Sequence, residues 1–367
     1  MRKLVFFKKK KKTFLVLDIG TEGVKSLYCE EKNRKVEILD FCFQRLDRFG
    51  TFKGGNSESS IIKNALSELI KKTNFKKKNI LISLPPDIFK ARIAEQFFNR
   101  EKPKEKISKK EQSIILKKVS ENACRAISKK FAEKSGILPA DLYWSSIKIL
   151  DTKIEGYEVE KLQGYQGSSL EFKVLGVFIL KNHFKNIKKI FSELNLKISK
   201  IIHLAEVLPV VFKEKFSDGA FFDIGGQISQ ILILKNGKLS AVKEFEKGGD
   251  FFTRELSQTL GIDAGSARDL KERYVSGELS SGARERIKEI FLEEKKNWAM
   301  FWGSKFHSLP VFLFGGGSFL PEIKEIFENA EIIYPKTLKE FSNGAEKKRN
   351  PQWTPALLIS CYAKEIL

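Results

Sequence analysis

The residues best suited to chemistry lie in two short turns that share one pattern. Residues 18–21 read Asp-Ile-Gly-Thr, residues 223–226 read Asp-Ile-Gly-Gly, and each turn follows an apolar run of strand length. Because glycine adopts positive φ without a steric penalty, successive backbone N–H groups in such a turn can form a concave nest for an anion. An aspartate at the strand end can hold a hydrated Mg²⁺ ion, which prefers few carboxylates and several waters. Two such turns facing each other would clamp a polyphosphate between two domains.

The elements that must position these turns also occur twice. Two strand-like runs follow the first turn, at residues 24–29 and 36–41, and two follow the second, at residues 231–234 and 239–245. Each half is therefore predicted to be a β-meander with the aspartate and the glycine at its first turn. A single Asp-Ile-Gly is common by chance, so the repeat of the whole meander is the more specific signal.

Two further glycine clusters lie downstream of the second turn. Residues 248–249 are a Gly-Gly pair that opens a predicted helix. An apolar run at residues 309–314 leads into the three glycines of residues 315–317 and then into a helix predicted over residues 321–329. A glycine run between a strand and a helix lets a flat ligand lie against backbone and presents the helix N-terminus to it.

The composition is strongly basic. The 367 residues include 67 Lys and Arg against 46 Asp and Glu, which gives a formal net charge of +21. This charge raises nucleic acid and an anionic membrane as partners, and the alternative interpretation is a set of solvated, lysine-rich helix surfaces. The four cysteines are far apart without metal-ligand spacing, so we interpret them as thiols in a reducing cytoplasm. No apolar run approaches the ~20 residues of a membrane span.

Residues 1–12 form a separate basic segment. The apolar stretch at residues 4–7 precedes five consecutive lysines at residues 8–12. The segment lacks the longer apolar region and the small-residue cleavage site of a secretory signal. Two interpretations stay open: a membrane-surface anchor, because each lysine contributes about 1 kcal/mol near an anionic leaflet, and a disordered solubilising tail.

The order of predicted elements indicates an α/β fold in two halves with an insertion. Residues 13–85 and 181–215 are assigned to domain 1, which has a β-β-β-α-β order around a central sheet. Residues 86–180 are assigned to an inserted α+β module that contains a charged linker at residues 99–110. Residues 216–367 are assigned to domain 2, whose final helix is expected to pack back on domain 1.

The combination of two Asp-Ile-Gly turns, a Gly-Gly helix opening and a strand-GGG-helix unit resembles the actin-like ATPase superfamily. Within it, the chain most resembles the bacterial cell-division protein FtsA, with PilM as a sister family of the same architecture. The resemblance lies in the inserted module, in residues 248–256 (Gly-Gly-Asp-Phe-Phe-Thr-Arg-Glu-Leu) followed by 267–271 (Ala-Arg-Asp-Leu-Lys), and in residues 351–358 (Pro-Gln-Trp-Thr-Pro-Ala-Leu-Leu). It implies a duplicated, ribonuclease H-like two-domain fold in which the insert is a 1C-type (SHS2) subdomain.

The resemblance also implies a function and a set of site residues. FtsA-type proteins bind ATP with Mg²⁺ in the interdomain cleft, polymerise head to tail, hold FtsZ filaments by the FtsZ C-terminal peptide, and attach peripherally to the inner face of the cell membrane. The alternative is a PilM-like ATP-binding protein of type IV pilus assembly. Asp18 and Asp223 would hold Mg²⁺ through water. The expected nucleotide-binding residues are Asp18, Gly20, Thr21, Asp223, Gly225, Gly226, Ser229, Gly248, Gly249, Lys271, Gly315, Gly316 and Gly317.

Several positions depart from the family pattern, and they predict weak or absent hydrolysis. After the second turn the family usually has Gly-Thr-x-Asp, whereas residues 227–230 read Gln-Ile-Ser-Gln; Ser229 could supply the missing hydroxyl. Glu22 stands where a threonine is expected, and a carboxylate repels phosphates unless a metal intervenes. Arg268 replaces an acid that usually contacts the ribose. No catalytic residue is assigned.

Two other classes of function are considered. An actin-fold kinase for a sugar or a carboxylic acid needs an aspartate as base near the terminal phosphate, and no aspartate of this chain lies in a matching motif. A nucleic-acid binder would fit the net charge of +21, but the sequence has no RRM, KH or helix-turn-helix signature. Substrate-stimulated ATP turnover would favour the kinase, and salt-sensitive DNA binding would show a nonspecific electrostatic interaction.

Overall fold

The computed structural model describes residues 12–32, 35–46, 56–73, 79–213, 215–302, 308–327, 329–335, 338, 341–343 and 350–367. Most of the predicted N-terminal tail therefore lies outside the described residues, and the first strand begins at Lys12. The strands are, in chain order, β1 (Lys12–Ile19), β2 (Gly23–Lys32), β3 (Lys35–Arg45), β4 (Ile80–Ser83), β5 (Phe89–Asn99), β6 (Leu142–Ile154), β7 (Tyr157–Glu158), β8 (Ser169–Leu180), β9 (Ile198–Ile201), β10 (Gly219–Ile224), β11 (Ser229–Lys235), β12 (Lys238–Phe245), β13 (Val311–Phe314), β14 (Glu331–Ile332) and β15 (Phe341–Asn343).

Helices connect and cover these strands. The α-helices are α1 (Asn56–Lys72), α2 (Lys109–Ser135), α3 (Lys181–Glu193), α4 (Leu204–Val211), α5 (Asp250–Leu260), α6 (Ala264–Ser276), α7 (Ser281–Trp302), α8 (Pro321–Ile326) and α9 (Thr354–Ala363). Short 3₁₀ helices lie at Pro139–Asp141, Gly316–Phe319 and Pro351–Trp353.

Two of the sheets repeat one arrangement. The first has the strand order β15-β3-β2-β1-β4-β9, and the second has the order β12-β11-β10-β13-β14. In each sheet three strands form an antiparallel meander, and the first of these pairs in parallel with a strand that returns after intervening helices, β4 in one case and β13 in the other. The predicted pair of β-meanders is confirmed.

The repeat extends to the register of the aspartates. Asp18 of β1 lies opposite Lys25 of β2, and Asp223 of β10 lies opposite Gln230 of β11. Each aspartate is also level with the last residue of its parallel neighbour, β4 or β13. The two carboxylates therefore occupy equivalent positions at the carboxyl ends of the two central strands.

The first sheet is covered by helices from distant parts of the chain. Residues 14–17 of β1 are all buried, as expected for a central strand with both faces covered. The final helix α9 packs against β1, β2 and α4, and every residue from Thr354 to Ala363 is buried. A helix that is apolar on all sides is stable only inside a protein, which explains why the end of the chain lies beside its beginning.

The third sheet is formed within residues 89–180. Its order is β5-β8-β6-β7, and the long helix α2 packs against β5, β8 and β6. The strand β5 was not predicted from the sequence. Classification of this region as an SHS2 subdomain stays a prediction.

The charged segment predicted as a linker at residues 99–110 connects β5 to α2 without helix or strand at residues 100–108, and it is anchored to the inserted module. The side chain of Arg100 is fully buried and forms an ion pair of 2.8 Å with Glu111. It also donates hydrogen bonds to the carbonyl oxygens of Glu105 and Gly167. A buried, multiply bonded guanidinium fixes the path of the chain around it, so this charged stretch is part of the module's structure.

The helix that precedes β14 is shorter than the sequence predicts. The helix predicted over residues 321–329 ends at Ile326, where the chain turns toward β14. In the part of the chain that the structure describes, no helix is both long enough and apolar enough to cross a membrane.

Candidate functional site

A cleft of about 560 Å³ is lined by the turns at the ends of the two central strands. The sequence-predicted residues that line it are Asp18, Gly20, Thr21, Asp223, Gly225, Gly226, Gly249, Lys271, Gly315, Gly316 and Gly317. Two other predicted residues, Gly248 and Ser229, do not line it. The fold thus brings together segments that are distant in sequence around one concave site.

Each central aspartate is held by the side chain opposite it on the neighbouring strand. Lys25 forms an ion pair of 3.0 Å with Asp18. Gln230 donates from Nε2 to Oδ2 of Asp223, also at 3.0 Å. The two halves therefore have the same geometry, but the aspartate of the first half has a cationic partner and the aspartate of the second half has a neutral one.

This difference in partners appears in the electrostatics of Asp223. Burial raises its pKa to about 6, and the nearby charge of Asp18 adds to the increase, while Gln230 opposes it. Two carboxyl groups that repel each other across a cleft favour a cation between them. The pair thus suits the predicted water-mediated Mg²⁺, although the described residues contain no cluster of three or more metal-ligating side chains.

The second turn is bonded to the start of α5. The N–H groups of Gly249 and Asp250 donate to the carbonyl oxygens of Gly225 and Gly226, at 2.9 and 2.7 Å. Gly248 packs against the backbone of Gly226 outside the cleft lining. The Gly-Gly pair therefore supports the loop from behind, and of its two members only Gly249 reaches the cleft.

Ser229 does not take the place of the missing hydroxyl. It is buried, and its Oγ donates to the carbonyl oxygen of Lys247 at 2.6 Å. Ile228 and Gln230, its neighbours in sequence, line the cleft instead. Since successive strand residues point to opposite faces, a serine one position away from the required one faces the wrong side.

The three-glycine turn lies directly beside Asp223. Gly315 has a φ of 87°, and a Cβ at this position would lie 2.6 Å from Oδ1 of Asp223. Positive φ and this close approach both require glycine. The backbone of the turn is consequently exposed to the cleft without a side chain in between, as a flat ligand would need.

Lys271 of α6 lines the cleft and also connects helices. Its Nζ donates to the carbonyl oxygen of Gly249 and to Oγ1 of Thr253, at 2.8 and 2.5 Å. Burial lowers its pKa, and the carboxyl groups of Asp250 and Glu22 oppose this effect. The lysine therefore fixes α6 against the first turn of α5.

Two sets of ion pairs join α6 to the first domain across the cleft. Glu22, in the first turn, pairs with Arg268 at 2.7 Å. Arg45, at the end of β3, pairs with Glu272 at 2.6 Å and with Asp269 at 3.2 Å. The turns themselves also meet, because the N–H of Gln227 donates to Oγ1 of Thr21 at 3.4 Å.

Of the cleft residues that the sequence reasoning missed, three have basic side chains. Lys25 and Arg45 line the cleft, as does the buried His203 at the start of α4. A signal existed for Lys25: it follows Asp18 by the same number of residues as Gln230 follows Asp223. The other two come from strands and helices that only the tertiary fold brings to the cleft.

Comparisons with known proteins agree with this architecture. No family model matches the chain. The cell-division protein FtsA of Streptococcus pneumoniae is 20% identical over 96% of this chain and 80% of the relative. A chain of the solved PilM–PilN type IV pilus biogenesis complex has a TM-score of 0.69 at 16% identity, covering 98% of this chain and 100% of that one. The ethanolamine utilization protein EutJ of Carboxydothermus hydrogenoformans has a TM-score of 0.52 at 11% identity, covering 96% and 91% of the two chains.

These similarities confirm the predicted resemblance to FtsA and PilM. The chain has an actin-like, duplicated α/β fold, and its similarity to both proteins extends over nearly its whole length. At these identities the solved structures establish the fold, while ligand, partners and cellular role are matters of proposal.

Proposed function

We propose that this chain is an FtsA-like cytoskeletal scaffold that binds ATP with Mg²⁺ and links FtsZ filaments to the inner face of the cell membrane during division. The observation that carries the nucleotide site is the equivalent placement of Asp18 and Asp223 at two glycine turns facing one cleft. The glycine-lined backbone suits a polyphosphate and a flat base. Bound Mg²⁺ would neutralise phosphate charge, with both aspartates holding it through water.

In this proposal the bound nucleotide controls the conformation and the assembly of the protein, and its hydrolysis is secondary. Gln230 is engaged by Asp223, and Ser229 faces away from the cleft. The amide of Gln230 is a much weaker base than the carboxylate that the family usually has at this position, and the hydroxyl of Ser229 does not line the cleft, so we expect weak or absent hydrolysis. Head-to-tail self-assembly and FtsZ binding enter the proposal through the similarity to FtsA, as does attachment to the inner face of the membrane. Residues 86–180 are proposed to be the family's 1C-type (SHS2) subdomain, which offers a partner-binding surface.

Nucleotide binding by purified full-length chain tests the site directly. Asp18→Ala and Asp223→Ala are expected to weaken Mg²⁺-ATP binding by at least ~10-fold each, because each removes a carboxylate that holds the hydrated cation. Asp141→Ala is the matched control, since Asp141 is exposed and lies outside the cleft lining. Thermal unfolding of each variant shows whether the fold is intact. Wild-type affinity that neither aspartate variant reduces would contradict the nucleotide site.

A PilM-like role in type IV pilus assembly is the second candidate. It is favoured by the similarity to the PilM chain, which extends over all of that chain. Pull-downs with immobilised FtsZ C-terminal peptide and with PilN separate the two candidates. Binding of the FtsZ peptide selects the division role, whereas binding of PilN alone selects the pilus role.

A further inference from the structure

The side chain of Glu22 occupies the space between the two phosphate-loop candidates. It extends from the first turn onto the surface of Gly226, where an added Cβ would lie 2.3 Å from Cγ of Glu22 and 2.6 Å from its Oε1. Thr21, the residue before it, accepts a hydrogen bond from the N–H of Gln227. The two turns are thus in direct contact, and a carboxylate of the chain itself lies over the glycine of the second turn.

Arg268 is the cationic partner of this carboxylate. Its Nη2 lies 2.7 Å from Oε2 of Glu22, and its side chain is only 7% exposed. The carboxyl group of Asp250 is beside the pair, and burial together with Asp250 raises the pKa of Glu22 to about 8, while Arg268 and Lys271 oppose the increase. A partly buried carboxyl group therefore lies among two cations and another acid in the part of the cleft where an anion nest was expected, and with this pKa it is ionised above pH 8.

The cations that line the cleft are engaged by groups of the chain. Lys25 pairs with Asp18, Arg45 pairs with Glu272, and Arg268 pairs with Glu22. Among these the Glu22–Arg268 pair is the one seated on the glycine of a phosphate-loop candidate. A phosphate that approached Gly226 would overlap Glu22 in space, and above pH 8 the ionised Glu22 would also repel it.

We infer that Glu22 is an internal competitor of the phosphate groups, and that Arg268 exchanges Glu22 for a phosphate when a nucleotide enters the cleft; this inference rests on the proposed function. Glu22 thereby sets the affinity and the preference of the cleft for ligands of different charge. An arginine binds phosphate well because its planar guanidinium donates two parallel hydrogen bonds. Arg268 becomes a ligand-binding residue only after Glu22 has moved.

The competition has a signature that depends on ligand charge. Removing the charge of Glu22 helps a ligand in proportion to the negative charge that lies near it. The gain in affinity should therefore increase from AMP to ADP to ATP. A merely structural role of Glu22 would change the binding of all three nucleotides by a similar factor.

The experiment measures dissociation constants of AMP, ADP and ATP with Mg²⁺ at pH 9, where Glu22 is ionised, for the full chain, Glu22→Gln and Glu22→Ala. Glu22→Gln keeps the volume and removes the charge, so it isolates the electrostatic contribution; Glu22→Ala also vacates the space. We expect ATP to bind at least ~10-fold more tightly to both variants, with a smaller gain for ADP and the smallest for AMP. Adding Arg268→Ala to the Glu22→Gln chain should remove ~10-fold or more of the ATP affinity, because a phosphate then loses its guanidinium partner.

The control tests whether any broken interdomain ion pair would have the same effect. Lys238 of β12 pairs with Asp151 and Glu158 at 2.7 Å, and all three lie outside the cleft lining. Lys238→Ala is expected to leave the affinities for all three nucleotides unchanged. An equal gain in Lys238→Ala and Glu22→Gln would overturn the inference, since loosening of the domains alone would then explain it.

The remaining outcomes separate this inference from the proposed function. Tight ATP binding by the wild type with no gain in either Glu22 variant overturns the inference and leaves the nucleotide site standing. Weak wild-type binding that becomes tight in the Glu22 variants supports both. If no variant binds any of the three nucleotides while thermal unfolding shows an intact fold, both are overturned.

Discussion

Single residues decide how the two equivalent halves of the cleft differ. Asp18 and Asp223 have equivalent positions in their sheets, and each contacts the residue opposite it on the neighbouring strand. That residue is the charged Lys25 in the first half and the neutral Gln230 in the second. Desolvation raises the pKa of the partly buried Asp223 to about 6, and the charge of Asp18, which is paired with Lys25, adds to the increase. The two halves keep the same geometry but differ in charge. Variants in the cleft should therefore change its preference for ligands of different charge.

His203 is a second residue whose environment makes a measurable prediction. Its Nδ1 accepts the N–H of Ala205 at the start of α4, and Nε2 has no hydrogen-bond partner among the described residues. Burial lowers the pKa of His203 to about 4, whereas the unfolded chain has the ordinary value near 6.5. Between these values the unfolded state binds a proton that the folded state does not, so stability falls as the pH is lowered from 6.5 toward 4.

We expect this histidine to account for ~2 kcal/mol of the stability lost between pH 7 and pH 5. His203→Asn retains a side-chain acceptor for the helix N-terminus but cannot titrate. The variant should therefore lose ~2 kcal/mol less than the wild type over this pH interval, measured by urea unfolding at both pH values. Equal pH dependence in the two proteins would contradict a buried neutral His203.

At the scale of elements, α2 and the third sheet make contact at a glycine. Gly176 lies within β8, and a Cβ added there would be 2.6 Å from Cζ3 of Trp144 and 2.9 Å from Cδ1 of Ile127. These two side chains come from β6 and α2, so one missing methyl group sets how closely helix and sheet approach. Close-packed interiors tolerate added volume poorly, which makes this contact a sensitive test of the module's packing.

Gly176→Ala is expected to destabilise the protein by about 1–3 kcal/mol through overpacking. Trp144→Phe removes the crowding ring atoms, so the alanine should cost at least ~0.5 kcal/mol less in that background. Gly282→Ala in α7 is the control, because nothing lies within 4 Å of its added Cβ and alanine favours helices. Chemical unfolding of the four variants and the wild type measures these differences. Additive effects of Gly176→Ala and Trp144→Phe would show that the two positions do not press on each other.

Elements also show where pattern reasoning succeeds and fails. The two meanders were predicted because their strands are short, apolar and separated by polar turns. The strand β5 was missed because its residues Lys90, Arg92 and Glu95 interrupt the apolar pattern, while Arg92 pairs with Glu244 of β12 in the fold. The charge of Arg92 is compensated by a residue far away in the sequence, so the local sequence pattern around β5 cannot reveal it.

At the scale of the whole molecule, the net charge of +21 coexists with a cleft whose basic side chains are already paired. The excess positive charge therefore lies mainly outside the cleft, where it suits the anionic membrane surface of the proposed function. Within residues 1–12, most of which lie outside the described residues, five lysines follow a short apolar stretch. The proposed membrane attachment can be tested on this segment without disturbing β1, which begins at Lys12.

Deletion of residues 1–11 is expected to reduce binding to vesicles of anionic phospholipid by at least ~10-fold, because five lysines and Arg2 are removed and each basic residue contributes about 1 kcal/mol near such a surface. Sedimentation with vesicles at increasing NaCl should show the loss of binding that screening produces. Vesicles of neutral phosphatidylcholine serve as the control surface. Unchanged binding after the deletion would exclude the segment as the anchor and favour its interpretation as a solubilising tail.

The sequence by itself determined the duplicated meanders, the Asp-Ile-Gly turns and the glycine run after β13, because these depend on local patterns of apolar, acidic and glycine residues. Only the tertiary structure decided that Glu22 would meet Arg268 over Gly226 and that Ser229 would face Lys247. Those outcomes depend on strand register and on contacts between segments that are far apart in the chain. Register determines which face each side chain takes, and long-range packing determines which charges become partners.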